Sequence, residues 1–441
     1  MQGFLEQYPA YADTAALDEL RRTDYGRLDA QACTYLDFTG AALYADSHVR
    51  EHLALLQNGV FGNPHSASPS STTTTNAVES ARAAVLAYFN GTGEYTAVFT
   101  LNASGALKLI GEAYPFGRGG RYLLTADNHN SVNGIREFAR SKGAAVDYAP
   151  LTAPELRLDE PRLIALLDAA AFVPTNRLDL RAVSPDFVAV SFYKMFGYPT
   201  GVGCLLIRNA SLPTLRRPWF AGGTVNFATV QGRHHVLSPR EAGFEEGTLN
   251  FLSIPAVELG LRRLERIGME AIQTRVSCLT GRLLTELLAL RHSNGRPLVR
   301  LYGPAANTMR GGTVTMNFYD PDGGLLDYRR IDELAGLEGI SLRTGCFCNP
   351  GAGETAEGLT EDDMLAGMSA GIDISLPRFL QIVQYRGKSA GAIRVSLGLI
   401  SNLADVERFV QFAAGLCDQT ALTIGAVTFD IESCRVIRDS G

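Results

Sequence analysis

The apolar positions of this chain change period along its length. Residues 74–89 place apolar side chains at helical spacing, and 96–100 form a short apolar run that reads as a strand. A second helical pattern covers 105–114. Strands are expected at 121–125 and 144–149 with a helix over 131–142 between them, and again at 163–167, 187–191 and 203–207. Strands alternating with helices over short connections predict an α/β fold, a mostly parallel central sheet covered by helices on both faces. The serine- and threonine-rich run at 68–75 reads as a loop leading to a helix N-cap. A long helical pattern at 253–290 follows, and then the texture changes. Strands expected at 297–302, 312–318, 339–343 and 391–396 are separated by loops rich in Gly, Asp and Pro. The expected division is a segment 1–35 packed beside the small domain, a large domain 36–289, a smaller α/β domain 290–417, and a tail 418–441.

Composition narrows the class. Hydrophobic residues make up 46% and charged residues 20% of 441, as in an ordinary folded chain. The net charge of −6 argues against nucleic-acid binding by bulk charge. Seven cysteines without regular spacing are too few for a disulfide scaffold and fit reduced thiols in a cytoplasmic protein. No basic, apolar leader opens the chain and no apolar run reaches the roughly 18 residues of a membrane span. Lysine is scarce: only Lys108, Lys142, Lys194 and Lys388 occur, so Arg supplies nearly all of the 40 cationic side chains. Any covalent lysine chemistry therefore has four candidates, since Arg does not form Schiff bases.

In open α/β sheets ligands sit at the carboxyl ends of strands, so the residues after each strand carry the chemistry. After 96–100 comes a small-residue turn opening a helix, with Ala103 and Ser104. Its backbone N–H groups could cup an anion, although many ordinary helices start this way. After 121–125 comes His129, whose plainer reading is a surface-loop histidine. After 163–167 comes Asp168, followed by three alanines, a setting that calls for a partner if buried. After 187–191 come Phe192, Tyr193 and Lys194, ahead of a glycine-rich stretch. An anion cup, a ring-stacking group, a carboxylate for a pyridine nitrogen and a Schiff-base lysine are the four requirements of a pyridoxal 5'-phosphate site.

Longer stretches then carry a resemblance. FTGAALY (38–44), FGNPHS (61–66), DNHNSVNGIRE (127–137), DAAAFVPTNRLDL (168–180), SFYKMFGYPTG (191–201), FEEGTLNFL (244–252), LRTGCFCNPGAGE (342–354) and AIRVSLG (392–398) run across nearly the whole chain. It resembles the class V aminotransferase and cysteine desulfurase family of fold-type I pyridoxal phosphate enzymes, and most of all the N-terminal, desulfurase-like domain of molybdenum cofactor sulfurases. The resemblance implies that Lys194 holds the cofactor as a Schiff base and then serves as base at the substrate Cα. It implies that Asp168 pairs with the pyridine nitrogen, His129 stacks on the ring, and Ala103, Ser104 and Ser191 hold the phosphate. Tyr193 stands where many desulfurases have His. Thr248 would reach the phosphate of a neighbouring subunit, implying a homodimer. Arg394 would clamp the substrate carboxylate, with Arg343 and His65 as further substrate contacts. In the family a loop cysteine takes sulfur from L-cysteine as a persulfide and alanine leaves. Cys348 aligns with that nucleophile and Cys346 is the runner-up; the plain alternative is two chance loop thiols. Their C-x-C spacing is not a zinc pattern by itself. Cys33, Cys204, Cys278, Cys417 and Cys434 read as structural.

Two departures shape the expectation. Molybdenum cofactor sulfurases continue into a C-terminal domain that binds the molybdenum cofactor, so a free-standing desulfurase-like enzyme, with a sulfur acceptor not specified, is expected here. The family also has a further central strand between the one at 144–151 and the one ending near Asp168. That strand ends in an Asn that bonds the cofactor's ring hydroxyl. Only residues 152–167 are available, room for one crossover but not for two and a strand. No Asn lies among them, Asn176 falls after Asp168, and Ala171 stands where many relatives have Gln. A missing central strand is therefore expected. It leaves three readings open: an incomplete gene product, a variant that closes its sheet differently, or a weakly active or inactive relative. An aminotransferase, lyase or decarboxylase acting on another amino acid is the alternative chemistry.

Overall fold

The computed structural model describes residues 1–152, 155–158, 166–368, 389, 391–425, 428–430 and 435–437. The elements that position the site begin with β1 (Thr34–Tyr35), α1 (Pro69–Tyr88), β2 (Tyr95–Thr100) and α2 (Ala103–Ala113). Then come β3 (Arg121–Thr125), α3 (Ile135–Ser141), β4 (Ala145–Ala149) and β5 (Leu166–Asp168). Next are β6 (Phe187–Ser191), α4 (Phe192–Phe196), β7 (Gly203–Arg208), α5 (Pro255–Ile267) and α6 (Met269–Ala289). The last are β8 (Val299–Tyr302), β9 (Thr313–Phe318), β10 (Ile340–Ser341), β11 (Arg343–Gly345), β12 (Ala392–Ser396) and α7 (Leu403–Ala414).

The central sheet has the order β2-β7-β6-β5. β5 and β6 pair in parallel, while β7 runs antiparallel to both β2 and β6. β6 is buried at every position, as a continuous apolar run between two layers should be. Side-chain alternation divides the core. Leu205 and Ile207 of β7 pack with Ala106 and Ile110 of α2, whereas Cys204 and Leu206 face the layer holding Val78 and Val85 of α1.

Three boundaries differ from expectation. Helix α1 starts at Pro69, so the run expected to be a loop is mostly helical. Ser68 caps it through the Ser71 N–H, and the hydroxyls of Thr73, Thr74 and Thr75 bond the carbonyls four residues earlier. The pattern over 253–290 is two helices, α5 and α6, broken at Gly268. The single strand expected at 339–343 is two: β10 pairs in parallel with β1, and β11 pairs with β12.

β3 and β4 pair in parallel with each other and form a separate two-stranded sheet. Among the described residues no strand joins this pair to β5. The chain leaving β4 turns back, with Leu151 opposite Leu158 and Thr152 opposite Arg157. Among the described residues the central sheet thus has the expected gap. The strand foreseen at 163–167 is described only from Leu166 and includes Asp168 as its last residue; positions 163–165 lie outside the described residues. An edge without a partner leaves backbone N–H and C=O groups to be met otherwise, and among the described residues β3 and β5 each have a strand on one side only. A cavity of about 1410 Å³ opens there, lined by all five residues of β3, all three of β5, and Ile110 and Val132.

The second sheet, β8-β9-β12-β11, is antiparallel throughout. The N-terminal segment is held to α6 and α7 by buried arginines. Arg275 of α6, with no exposed surface, donates to Thr14 and Asp18 at 2.6–3.0 Å, and Arg21 donates to Asp405 of α7 at 2.6 Å. No helix among the described residues is long and apolar enough to cross a membrane.

Candidate active site

The cavity continues from the gap to the carboxyl ends of β5 and β6. Asp168 ends β5 and Lys194 lies in α4, the short helix that follows β6. His129 lies in the turn after β3, and all three line the cavity together with Tyr193. The four lysines now separate. Lys108 pairs with Glu112 at 3.0 Å, and Lys142 donates to the carbonyls of Glu112 and Tyr114 at 2.7 and 2.8 Å. Lys388 lies outside the described residues. Lys194 is half-buried and makes no hydrogen bond or ion pair among the described residues. Burial pushes its pKa below the usual lysine value, and the Arg394 charge adds to this; the Asp168 carboxylate works against both. Lys194 is therefore easier to deprotonate than a free lysine.

His129 caps the turn after β3 by accepting the Ser131 N–H on Nδ1 at 3.1 Å. A neutral imidazole so bonded carries its proton on Nε2. Burial, with Lys194 nearby, lowers its pKa and favours that neutral form. Asp168 is held in place by the Ala170 N–H at 3.1 Å.

The opposite wall comes from the second sheet. Arg343 and Arg394 are register partners on β11 and β12, and both line the cavity. Asp37 binds both. Its Oδ1 accepts from Arg394 Nη2 at 2.7 Å, and its Oδ2 accepts from Arg343 Nε at 3.0 Å and lies 2.7 Å from Nη2. Sequence reasoning missed Asp37. The signal existed, because it follows a short apolar run at the end of β1 just as Asp168 ends β5, but it stands one residue before the motif that drew notice.

Cys346 and Cys348 are exposed thiols on the loop after β11, and both line the cavity. Phe347 between them lies under the Arg394 guanidinium, 5.0 Å from its carbon. Phe347 and Cys348 have φ of 55° and 56°, a left-handed conformation unusual for side chains of this size. The strained turn is pinned from outside. The Asn130 N–H donates to the Cys348 carbonyl at 2.8 Å, and Asn349 Nδ2 donates to the Asp127 carbonyl at 2.7 Å. The loop is thereby docked on the turn that carries His129. Among the remaining cysteines, Cys204 and Cys278 are buried, Cys33 and Cys417 are half-buried, and Cys434 lies outside the described residues.

The candidates Ala103, Ser104, Ser191, Thr248 and His65 lie off the cavity wall. Ser191 is buried, and its hydroxyl has no hydrogen-bond partner. It pairs with Gly203, against which the Asn102–Ala103 backbone packs so closely that a Cβ would stand 2.5 Å from a main-chain carbon. Ser191 and the start of α2 are thus neighbours, and an oxyanion there would satisfy the orphaned hydroxyl. Ser104 is exposed and shares a 2.6 Å hydrogen bond with Ser131. Thr248 is exposed in the loop before α5, and His65 is exposed with its ring against Gly223. Asn176 bonds the Phe172 carbonyl, and Ala171 lines the cavity without a polar side chain.

The aminotransferase class-V family model matches residues 34–162 and 157–409, two stretches that meet at the crossover between β4 and β5. The molybdenum cofactor sulfurase of Solanum lycopersicum is 34% identical over 489 residues, covering 93% of this chain and 59% of that protein. The human molybdenum cofactor sulfurase is 33% identical, covering 90% of this chain and 51% of its own length. The chain thus spans between half and three-fifths of these relatives. The tomato alignment is longer than the 441 residues here, so within it the relative carries residues without a counterpart in this chain. Among solved structures, the cysteine desulfurase of Thermococcus onnurineus NA1 superposes with a TM-score of 0.73 at 21% identity, covering 90% of this chain and 97% of that one. A cysteine desulfurase of Escherichia coli does so with a TM-score of 0.67 at 18% identity, covering 91% and 99%. These two share the fold. The family match over both sheets places this protein: the chain belongs to the class V aminotransferase family.

Proposed function

We propose that this chain is a pyridoxal phosphate-dependent, cysteine desulfurase-like enzyme that converts L-cysteine to L-alanine and takes the sulfur as a persulfide on Cys348. The observation that carries the reading is the meeting, on one cavity, of a lysine without a partner among the described residues, a strand-end carboxylate, a histidine whose pKa is lowered by burial, an arginine pair and a docked thiol loop. The residues fit the cofactor. Lys194, with no partner among the described residues, would bind it, Asp168 would serve the ring nitrogen and His129 the ring face. Ser191 with the start of α2 offers an orphaned donor to the phosphate. When bound, pyridoxal phosphate supplies an electron sink for charge developing at the substrate Cα.

The chain's own groups do the rest. Arg394 holds the substrate carboxylate. Lys194, its pKa lowered by burial, accepts a proton at Cα and returns it. The Cys348 thiolate attacks the substrate sulfur, so that an S–S bond forms, the C–S bond breaks, and alanine leaves after protonation. A homodimer, with Thr248 reaching the neighbouring phosphate, is supported by exposed apolar side chains before that loop: Phe227, Val230 and Val236. The large part is read as residues 36–289 and the small part as 290–417. A chain that folds but turns over slowly is the second reading, favoured by the split between β3 and β5.

The test is a visible absorption spectrum of purified protein with pyridoxal phosphate, before and after L-cysteine, with Lys194→Ala as control. A yellow band that shifts with L-cysteine, is absent in the variant, and accompanies a trapped Cys348 persulfide is the expected result. A band that responds only to another amino acid favours aminotransferase, lyase or decarboxylase chemistry. A protein that stays colourless overturns the proposal.

A further inference from the structure

Two guanidiniums face each other at the substrate end of the cavity, and a single carboxylate holds them. Asp37 is 7% exposed and Arg394 9%, so this is a buried charge cluster rather than a solvated surface pair. Buried ions need geometry and hydrogen bonds to offset desolvation, and Asp37 spends one oxygen on each arginine. Gly40 packs directly on that carboxylate, so that a Cβ there would collide with both of its oxygens. Arg394 gives Nη2 to Asp37, while its Nε is buried and has no hydrogen-bond partner among the described residues, an open donor. Arg343 is half-exposed at its side chain and lies within electrostatic reach of Cys348. The cluster carries two positive charges and one negative, which leaves one charge for a ligand.

We propose that Asp37 is a positioning and specificity residue that divides the two guanidiniums between two anions. It aims the free edge of Arg394 at the substrate carboxylate, leaves Arg343 beside the Cys348 thiolate, and restricts the site to amino acids with one anionic group. This rests on the function proposed above. Replacing Asp37 by Asn keeps the shape and releases one guanidinium, so a second anion on the substrate side chain becomes welcome.

The experiment uses the pyridoxal phosphate-loaded enzyme and calorimetric binding of two probes, L-alanine and L-cysteate, whose sulfonate replaces the thiol. In Asp37→Asn the preference for L-cysteate over L-alanine should rise at least about tenfold, the scale of one freed charge-assisted contact. Gly40→Ala keeps the charge but displaces the carboxylate. It should raise KM for L-cysteine by about tenfold with kcat within about threefold of the parent, and leave the anion preference unmoved. A folded Asp37→Asn whose preference stays within about twofold of the parent overturns the proposal. If Asp37→Asn does not fold, Gly40→Ala decides, and an unchanged KM overturns it. A parent enzyme that binds neither probe nor L-cysteine overturns the functional reading itself, and this one with it.

Discussion

Arg343 and Arg394 stand opposite each other across the β11–β12 pair, and Asp37 ties both. Like charges directly opposite on neighbouring strands repel, and the Asp37 carboxylate fixed between them offsets that repulsion. β11, which carries Arg343, is separated by Leu342 alone from β10, which ends at Ser341 and pairs in a different sheet. Local geometry of this kind, rather than propensity, places the charges of the site.

The two loop thiols should differ in consequence. Cys348 sits in the strained turn and is fastened to Asn130 through its carbonyl, while Cys346 lies closer to β11. Cys348→Ser should lower L-cysteine turnover by more than about a hundredfold, and Cys346→Ser by less than about threefold. Mass spectrometry of the enzyme after one turnover, read for added sulfur, checks which cysteine carries it.

Lys194 should lower the stability of the protein for the sake of its chemistry. Its pKa is depressed on folding, so between the folded value and the ordinary lysine value the unfolded chain binds more protons. Stability therefore rises with pH through that window and is diminished below it. Lys194→Met should gain about 1 kcal/mol at neutral pH without cofactor, and the gain should vanish above the ordinary lysine value. Urea unfolding of both apoproteins at two pH values is the measurement, and a gain independent of pH contradicts the argument.

Arg275 anchors the N-terminal segment from a fully buried position through Thr14 and Asp18. Its removal leaves those acceptors without their donor. Arg275→Ala should cost about 3 kcal/mol and expose the first 30 or so residues to early proteolysis. A protease digest followed by N-terminal sequencing reads the second effect directly.

The split sheet should show itself as uneven stability. β6 and β7 are buried between helices, whereas among the described residues β3 has only β4 as a neighbour, and isolated two-stranded sheets are weak. Amide exchange should be faster in 121–125 than in 203–208. Leu206→Ala, in the closed core, should cost about 3 kcal/mol, and Leu123→Ala, on the 49% exposed side chain beside the gap, less than about 1 kcal/mol. Equal costs would indicate that the gap is closed in solution.

Much of this molecule was legible in the chain because the evidence for it is local. The strand ends that carry His129, Asp168 and Lys194 follow from apolar runs bounded by small and polar residues, and the scarcity of lysine singles out few candidates. Counting residues between β4 and Asp168 led to the expectation of the break seen among the described residues, since a parallel crossover has a minimum length. Less was legible where a partner distant in sequence decides the outcome. The threonine run before α1 looks like a loop until back-bonded hydroxyls make it helical. One expected strand divides because β1 claims its first half and β12 its second.

By itself, then, the sequence determined the family, the order of layers and the residue types of the site, because periodicity, strand-end chemistry and motif spacing are properties of contiguous residues. The tertiary structure alone decided that Asp37 joins Arg343 to Arg394, that Lys194 has no partner among the described residues, and that the cysteine loop docks on the turn of His129. Those facts depend on side chains more than two hundred residues apart being carried to one cavity. Burial and charge act through space, and no local pattern records where distant charges will meet.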